Sequence, residues 1–152
     1  MNNIGEFQSN EILTAISILS SLRSVEKMEI MKCLLIEPLF SYKSIRTYVK
    51  RANSKVRSIE ELIIKKNVVF SNFDKRFIEK LPLSINAILL LVQLKLIKID
   101  GKYLIFDGEE FDFNEKSLGK IAQEAIIVSD RLAKILIEEE ASSLYLSLRI
   151  EL

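Results

Sequence analysis

The chain has no histidine and only one cysteine among its 152 residues. The first absence removes the commonest general base and the commonest zinc ligand. The second rules out a disulfide framework within one chain and argues against a thiolate metal site. Cys33 itself lies in the apolar run Ile30-Met31-Lys32-Cys33-Leu34-Leu35-Ile36, where a free thiol is expected to pack as a small buried hydrophobe. Glycine and proline are also scarce, with four and two copies, which leaves little material for long flexible linkers. The glycines (Gly5, Gly101, Gly108 and Gly119) are scattered and form no G-x-x-x-x-G-K phosphate loop. No uninterrupted apolar run exceeds the six residues Ala87 to Val92. A membrane-spanning helix needs about 18 or more. The opening Met1-Asn2-Asn3-Ile4-Gly5-Glu6 lacks the basic start and apolar core of a signal peptide. The expectation is a soluble, cytoplasmic protein with no membrane contact. A net charge of +1 supplies no global field toward nucleic acid or lipid.

What remains is ordinary globular material. Hydrophobic residues make up 49% of the chain and charged residues 28%, enough to build one real core, and residues 1–152 read as a single domain. Asn10 can cap a first helix with Ile12, Leu13, Ile16, Leu19 and Leu22 on one face, while Ser17, Ser20 and Ser21 lie off that stripe. Ser24 can cap a second helix that Glu37-Pro38 would end, since a residue before proline avoids the helical region. A third helix is expected from about Tyr42 to Arg51, and Ser58-Ile59-Glu60-Glu61 reads as a capping box opening a fourth. Asn72 or Ser71 can start the next, with Phe73, Phe77 and Leu81 in register, up to a break or first turn at Pro82. Two further helices are expected, from about Ser117 to Val128 and from Ser129 to Glu139.

The most informative stretch is Leu81 to Phe106, an apolar helix running into a hairpin whose turn signal is Asp100-Gly101. That order suggests a winged-helix-like domain. A helix that reads DNA would bring Arg, Lys, Asn or Gln to base edges, but this one offers only Ser84, Asn86, Gln93 and Lys95. The chemistry is that of a packing helix. The ending Leu144-Tyr145-Leu146-Ser147-Leu148-Arg149-Ile150-Glu151-Leu152 alternates apolar and polar residues, which predicts a half-buried strand pairing with the hairpin 96–106 or with another chain. The fold class is therefore α+β, mostly helical, with a small antiparallel sheet built from 96–106 and 144–152.

Three constellations could carry function. Between Ser41 and Arg57 there are six cations and no acid, and Lys43, Arg46 and Lys50 share a helix face next to Arg51. Such a stripe can sit on phosphates, or it can be a solvated face balanced by acid elsewhere. Asp107, Glu109, Glu110 and Asp112 lack the spacing of a calcium loop and read as a solvated turn. Tyr103 on the hairpin, with Tyr145 and Arg149 on the exposed side of the terminal strand, are candidates for partner docking. No catalytic, cofactor or metal site emerges.

Four segments together resemble the middle component of bacterial three-component ABC-ATPase defence systems of the Lamassu-like group. They are Met28 to Phe40; Ser58-Ile59-Glu60-Glu61-Leu62-Ile63 with Asn72-Phe73-Asp74-Lys75-Arg76-Phe77; Leu81-Pro82-Leu83-Ser84-Ile85-Asn86-Ala87 with its hairpin; and Ser117-Leu118-Gly119-Lys120 with the ending Leu144 to Leu152. All are patterns of packing residues rather than catalytic motifs. The resemblance implies a non-enzymatic, cofactor-free subunit linking a coiled-coil ABC/SMC-like ATPase to an effector, often a nuclease, with DNA a possible ligand of the assembly. The alternative from the residues alone is a winged-helix DNA-binding regulator using the 41–57 stripe.

Overall fold

Helix α1 (Asn3–Val25) is the axis of the molecule. The computed structural model describes residues 3–51, 55–114 and 116–151, with side chains from Asn10 onward. Every residue from Thr14 to Leu22 is buried, so this helix is covered on all sides rather than along one stripe. Its off-stripe hydroxyls make that possible. Thr14, Ser17 and Ser21 donate to the carbonyls of Asn10, Leu13 and Ser17, one turn back, at 2.9, 3.0 and 2.8 Å. A buried hydroxyl satisfied by its own helix carries little desolvation cost.

After α1 come β1 (Lys27–Glu29), α2 (Ile30–Cys33), α3 (Ile36–Phe40), α4 (Lys43–Lys50), α5 (Ile59–Lys65) and α6 (Asn67–Phe70). Then follow α7 (Phe73–Gln93), β2 (Ile97–Asp100), β3 (Tyr103–Phe106), a short 3-10 turn (Lys116–Leu118), α8 (Gly119–Leu136) and α9 (Ala141–Ser147). Helices α7 and α8 both pack against α1. The α1–α8 seam is lined by Ala122, Ala125, Ser129 and Ala133, small residues that let the helices approach closely. Ser21 also donates across it to the Ser129 carbonyl at 3.2 Å. A single hydrophobic cluster extends from Ala15 to Ile150.

The mostly helical α+β class and the small antiparallel sheet are as expected, but the third strand is not the terminal one. Strand order is β1-β3-β2, with Met28 opposite Leu104 and Ile99 opposite Leu104 on the other side. Segment 144–152 is instead the end of α9 and its cap. Leu144, Tyr145 and Leu148 are buried at helical spacing, while Leu146, which a strand would bury beside Leu144, is 80% exposed. Arg149 takes φ +58 and its N–H reaches the Leu146 carbonyl, while Ile150 N–H reaches the Tyr145 carbonyl. These paired bonds form a Schellman cap, whose first residue beyond the helix is left-handed.

The same cap joins α7 to the hairpin. Lys95 (φ +59) bonds to Val92 and Leu96 to Leu91, both at 3.0 Å. The turn between β2 and β3 is centred on Gly101 and Lys102, one residue later than Asp100-Gly101, because Asp100 pairs with Tyr103. Gly101 alone is left-handed (φ +61), the glycine-first pattern of a II′ loop rather than I′.

Four helix boundaries also differ from expectation. Ser24 belongs to α1, and Glu26, with φ +70, turns the chain into β1 rather than into a helix. Pro38 lies in the first turn of α3, where its missing N–H would have no partner in any case. Pro82 lies inside a continuous α7. It sits on the exposed side, as does Ile78 four residues earlier, so the carbonyl deprived of a donor can turn to water. Helix α8 (Gly119–Leu136) likewise runs on with no break at Ser129, where two helices were expected. Phe111-Asp112-Phe113 is an anchored loop: Phe113 is buried against Phe106 and Phe111, with the Arg23 guanidinium 3.7 Å from its ring centre.

Candidate functional site

Reactive groups in the interior are held unreactive. Cys33 is fully buried, and burial pushes its thiol well above the ordinary range, away from the nucleophilic thiolate. Tyr145 is buried too, and its hydroxyl donates to the Met31 carbonyl at 2.6 Å. Among the described residues, no group of three or more His, Cys, Asp or Glu side chains could hold a metal ion. No helix among them is long and apolar enough to cross a membrane.

Two carboxylates, Glu37 buried and Asp130 half-buried, lie beside cations. Asp130 accepts from Ser20 and lies 3.6 Å from Arg23. Burial raises its pKa against the pull of that hydroxyl and guanidinium. Glu37 in α3 is raised by burial, opposed by Lys80, the Thr14 hydroxyl and Arg46. A raised folded-state pKa means the neutral form fits the fold better. That stabilisation is complete below the ordinary carboxyl value and is lost as pH rises through the folded value. Glu37→Gln, neutral at every pH, is therefore expected to have a higher urea midpoint than the parent at pH 7.5. The difference should shrink as pH falls toward 4.5. An equal difference at both pH values would contradict this assignment.

The basic stripe is divided by its neighbours. Helix α4 places Ile45 and Val49 in the core and Lys43, Arg46 and Lys50 outward. Glu124 of α8 then takes two of those cations, with Arg46 Nε at 3.5 Å and Lys50 Nζ at 3.0 Å. Arg46 also donates to the Phe40 carbonyl at 2.8 Å, so it works as a brace between α3, α4 and α8. Lys43 and Arg51 remain exposed. Arg131 of α8 donates to the carbonyls of Val49, Lys50 and Arg51 at 2.7, 2.8 and 3.0 Å, closing the C-terminal end of α4. Glu124 and Arg131 were missed by sequence reasoning. Their seven-residue spacing, two helical turns, shows only when the chain is taken as one helix through Ser129.

The three docking candidates fall apart in space and exposure. Tyr103 is half-buried on β3, with the Lys27 and Lys102 ammonium groups 5.0 and 5.6 Å from its ring centre. Tyr145 is a core residue, its ring edge-on to Phe77 at 5.5 Å, so the exposed position expected for it is corrected. Arg149 is exposed and lines a cleft with Ile63, Phe70 and Asp74. An exposed apolar surface also lies on α7. Ile78, Pro82, Ile85 and Leu89 form an exposed ridge with spacings of four, three and four residues. That alternation is the seam of helix-on-helix packing.

The family model for the ABC-three component (ABC-3C) system Middle Component 3 matches residues 10–152. The chain belongs to this family. Membership places the middle component in a system with other components, beside which it works. No curated protein and no solved structure matches the chain. The family match runs from residue 10 within α1 through α9, and includes the α7 ridge and the α4–α8 contact.

Proposed function

We propose that this middle component is a non-enzymatic, winged-helix-like adaptor joining an ABC/SMC-like ATPase to an effector, in a Lamassu-like defence assembly acting in the cytoplasm. The observation that carries the reading is family membership over residues 10–152. The α7 ridge supports it. Ile78, Ile85 and Leu89 are 58, 44 and 53% exposed and follow one another along one side of the helix. Their 4-3-4 spacing fits one apolar helix of another component of the system. The regulator alternative has less behind it. The exposed side of α7 carries aliphatic groups where a base reader needs polar ones, and Glu124 already engages Arg46 and Lys50.

The test is co-expression of a tagged chain with the ATPase and effector of its own system. The adaptor reading expects both to be retained on the tag through a wash at 500 mM salt, since an apolar seam is not screened. Recovery of the chain alone would sink it.

A further inference from the structure

Two clefts flank α4 where it crosses α8, and both are cationic. One, about 600 Å³, is lined by Lys50, Lys116 and Lys120, with the amides of Asn114 and Gln123 and the already paired Glu124. The other, about 550 Å³, is lined by Lys55, Arg57, Arg131 and Lys134, with Glu138 as its acid. They meet at the end of α4, where Arg131 of the second cleft holds the carbonyls of Lys50 and Arg51. On α8, positions 120, 124, 127, 131 and 134 recur every three or four residues and so lie on one face. From Lys120 to Lys134 that face runs about 21 Å, at about 1.5 Å per residue.

We propose that these two clefts form one continuous track for the phosphate backbone of nucleic acid, used by the middle component within its assembly. A strand of duplex DNA presents a phosphate about every 3.4 Å, so about six phosphates span the same length. The amide side chains of Asn114 and Gln123 are the neutral donors that usually accompany Lys and Arg on phosphates. A protein partner fits less well. Protein interfaces are depleted in lysine and anchored by aromatic groups, whereas five of the seven cations are lysines and, among the described residues, no aromatic one lines either cleft. The track differs from the 41–57 stripe: Glu124 engages both Arg46 and Lys50, so the charge open to phosphate comes from Lys55 and Arg57 together with Lys116, Lys120 and Lys134. It binds by charge and carries no sequence code. The proposal does not rest on the adaptor reading, and either can fail alone.

The experiment is fluorescence anisotropy of the full chain with a labelled 20-base-pair duplex of arbitrary sequence between 50 and 200 mM salt. The expected result is binding at 50 mM, with log K falling against log salt at a slope of about −4 to −5 for about five phosphates. Lys120→Glu with Lys134→Glu is expected to weaken binding at 50 mM at least tenfold and to lessen the slope by about two. Both residues are exposed, so an unchanged circular dichroism spectrum certifies the fold. Lys75→Glu with Lys95→Glu, neither lining a cleft, should leave binding within twofold. A single-stranded 20-mer that binds more tightly would identify unpaired nucleic acid as the source of the phosphates, on the same track. The proposal is overturned by absence of binding at 50 mM, by equal effects of the two double variants, or by polyglutamate displacing the duplex at equal charge concentration.

Discussion

Phe77→Ala is expected to cost about 3–5 kcal/mol of folding stability, the usual range for removing a fully buried phenylalanine. Phe77 is buried near the start of α7 and meets the Tyr145 ring edge-on. Tyr145 in turn anchors α9 to α2 through its bond to the Met31 carbonyl. One ring therefore holds three elements, and its loss leaves a cavity that neighbouring side chains cannot close without moving α9. For a chain of this size the thermal midpoint should fall by about 10 °C, at about 2–4 °C per kcal/mol. That is a large share of a total of about 5–15 kcal/mol. Thermal and urea unfolding followed by circular dichroism measure it. A loss below 1 kcal/mol would mean that α9 is not held by this contact.

The second large effect concerns assembly. Ile85→Glu with Leu89→Glu places two charges in the centre of the exposed α7 ridge. In the free chain both side chains are already about half in water, so the unfolding midpoint is expected to move by less than about 1 kcal/mol. In a complex both carboxylates would be desolvated against an apolar helix with no partner charge, at a cost of several kcal/mol. Retention of partner components on a tagged chain should therefore drop at least tenfold. Retention equal to the parent, with the fold intact, would move the docking face elsewhere on the molecule.

The contrast between those variants shows what was legible in the chain. Phe73, Phe77 and the capping Ser58 could be recognised because their signals are local. The i, i+4 spacing and the bond from Glu61 N–H to Ser58 Oγ at 3.1 Å need no distant partner. The Glu61 carboxylate departs only slightly, reaching Arg57 N–H rather than that of Ser58. Strand β1 was illegible because three residues carry no periodicity. Ser24 and Glu26 also imitate a helix start, and only the register Met28–Leu104 makes a strand of them. The ending misled for a different reason. Leu144, Leu148 and Ile150 suit both a strand and a capped helix, and the decision rests on whether Tyr145 or Leu146 is buried. Composition does not say which. The serines of α1 were similarly ambiguous until α8 covered them.

The candidate surfaces divide along the same line. The α4 cations were visible as a run of charge, but their meaning depends on Glu124, 74 residues beyond Lys50. Likewise the α7 helix was recognisable as apolar, whereas the split between its buried side (Ala87, Ile88, Leu91) and its exposed ridge required its neighbours in place. Pro82 hid that ridge. It reads as a boundary, yet it is one of the ridge residues.

The account turns on bridging, and one measurement addresses it directly. The ATPase and the effector of the same system are co-expressed with and without this chain, the ATPase is captured, and the effector retained is quantified by native mass spectrometry. The expected result is an assembly containing all three components when the chain is present and loss of the effector when it is omitted. An ATPase–effector complex of undiminished amount in the absence of this chain would contradict the adaptor role.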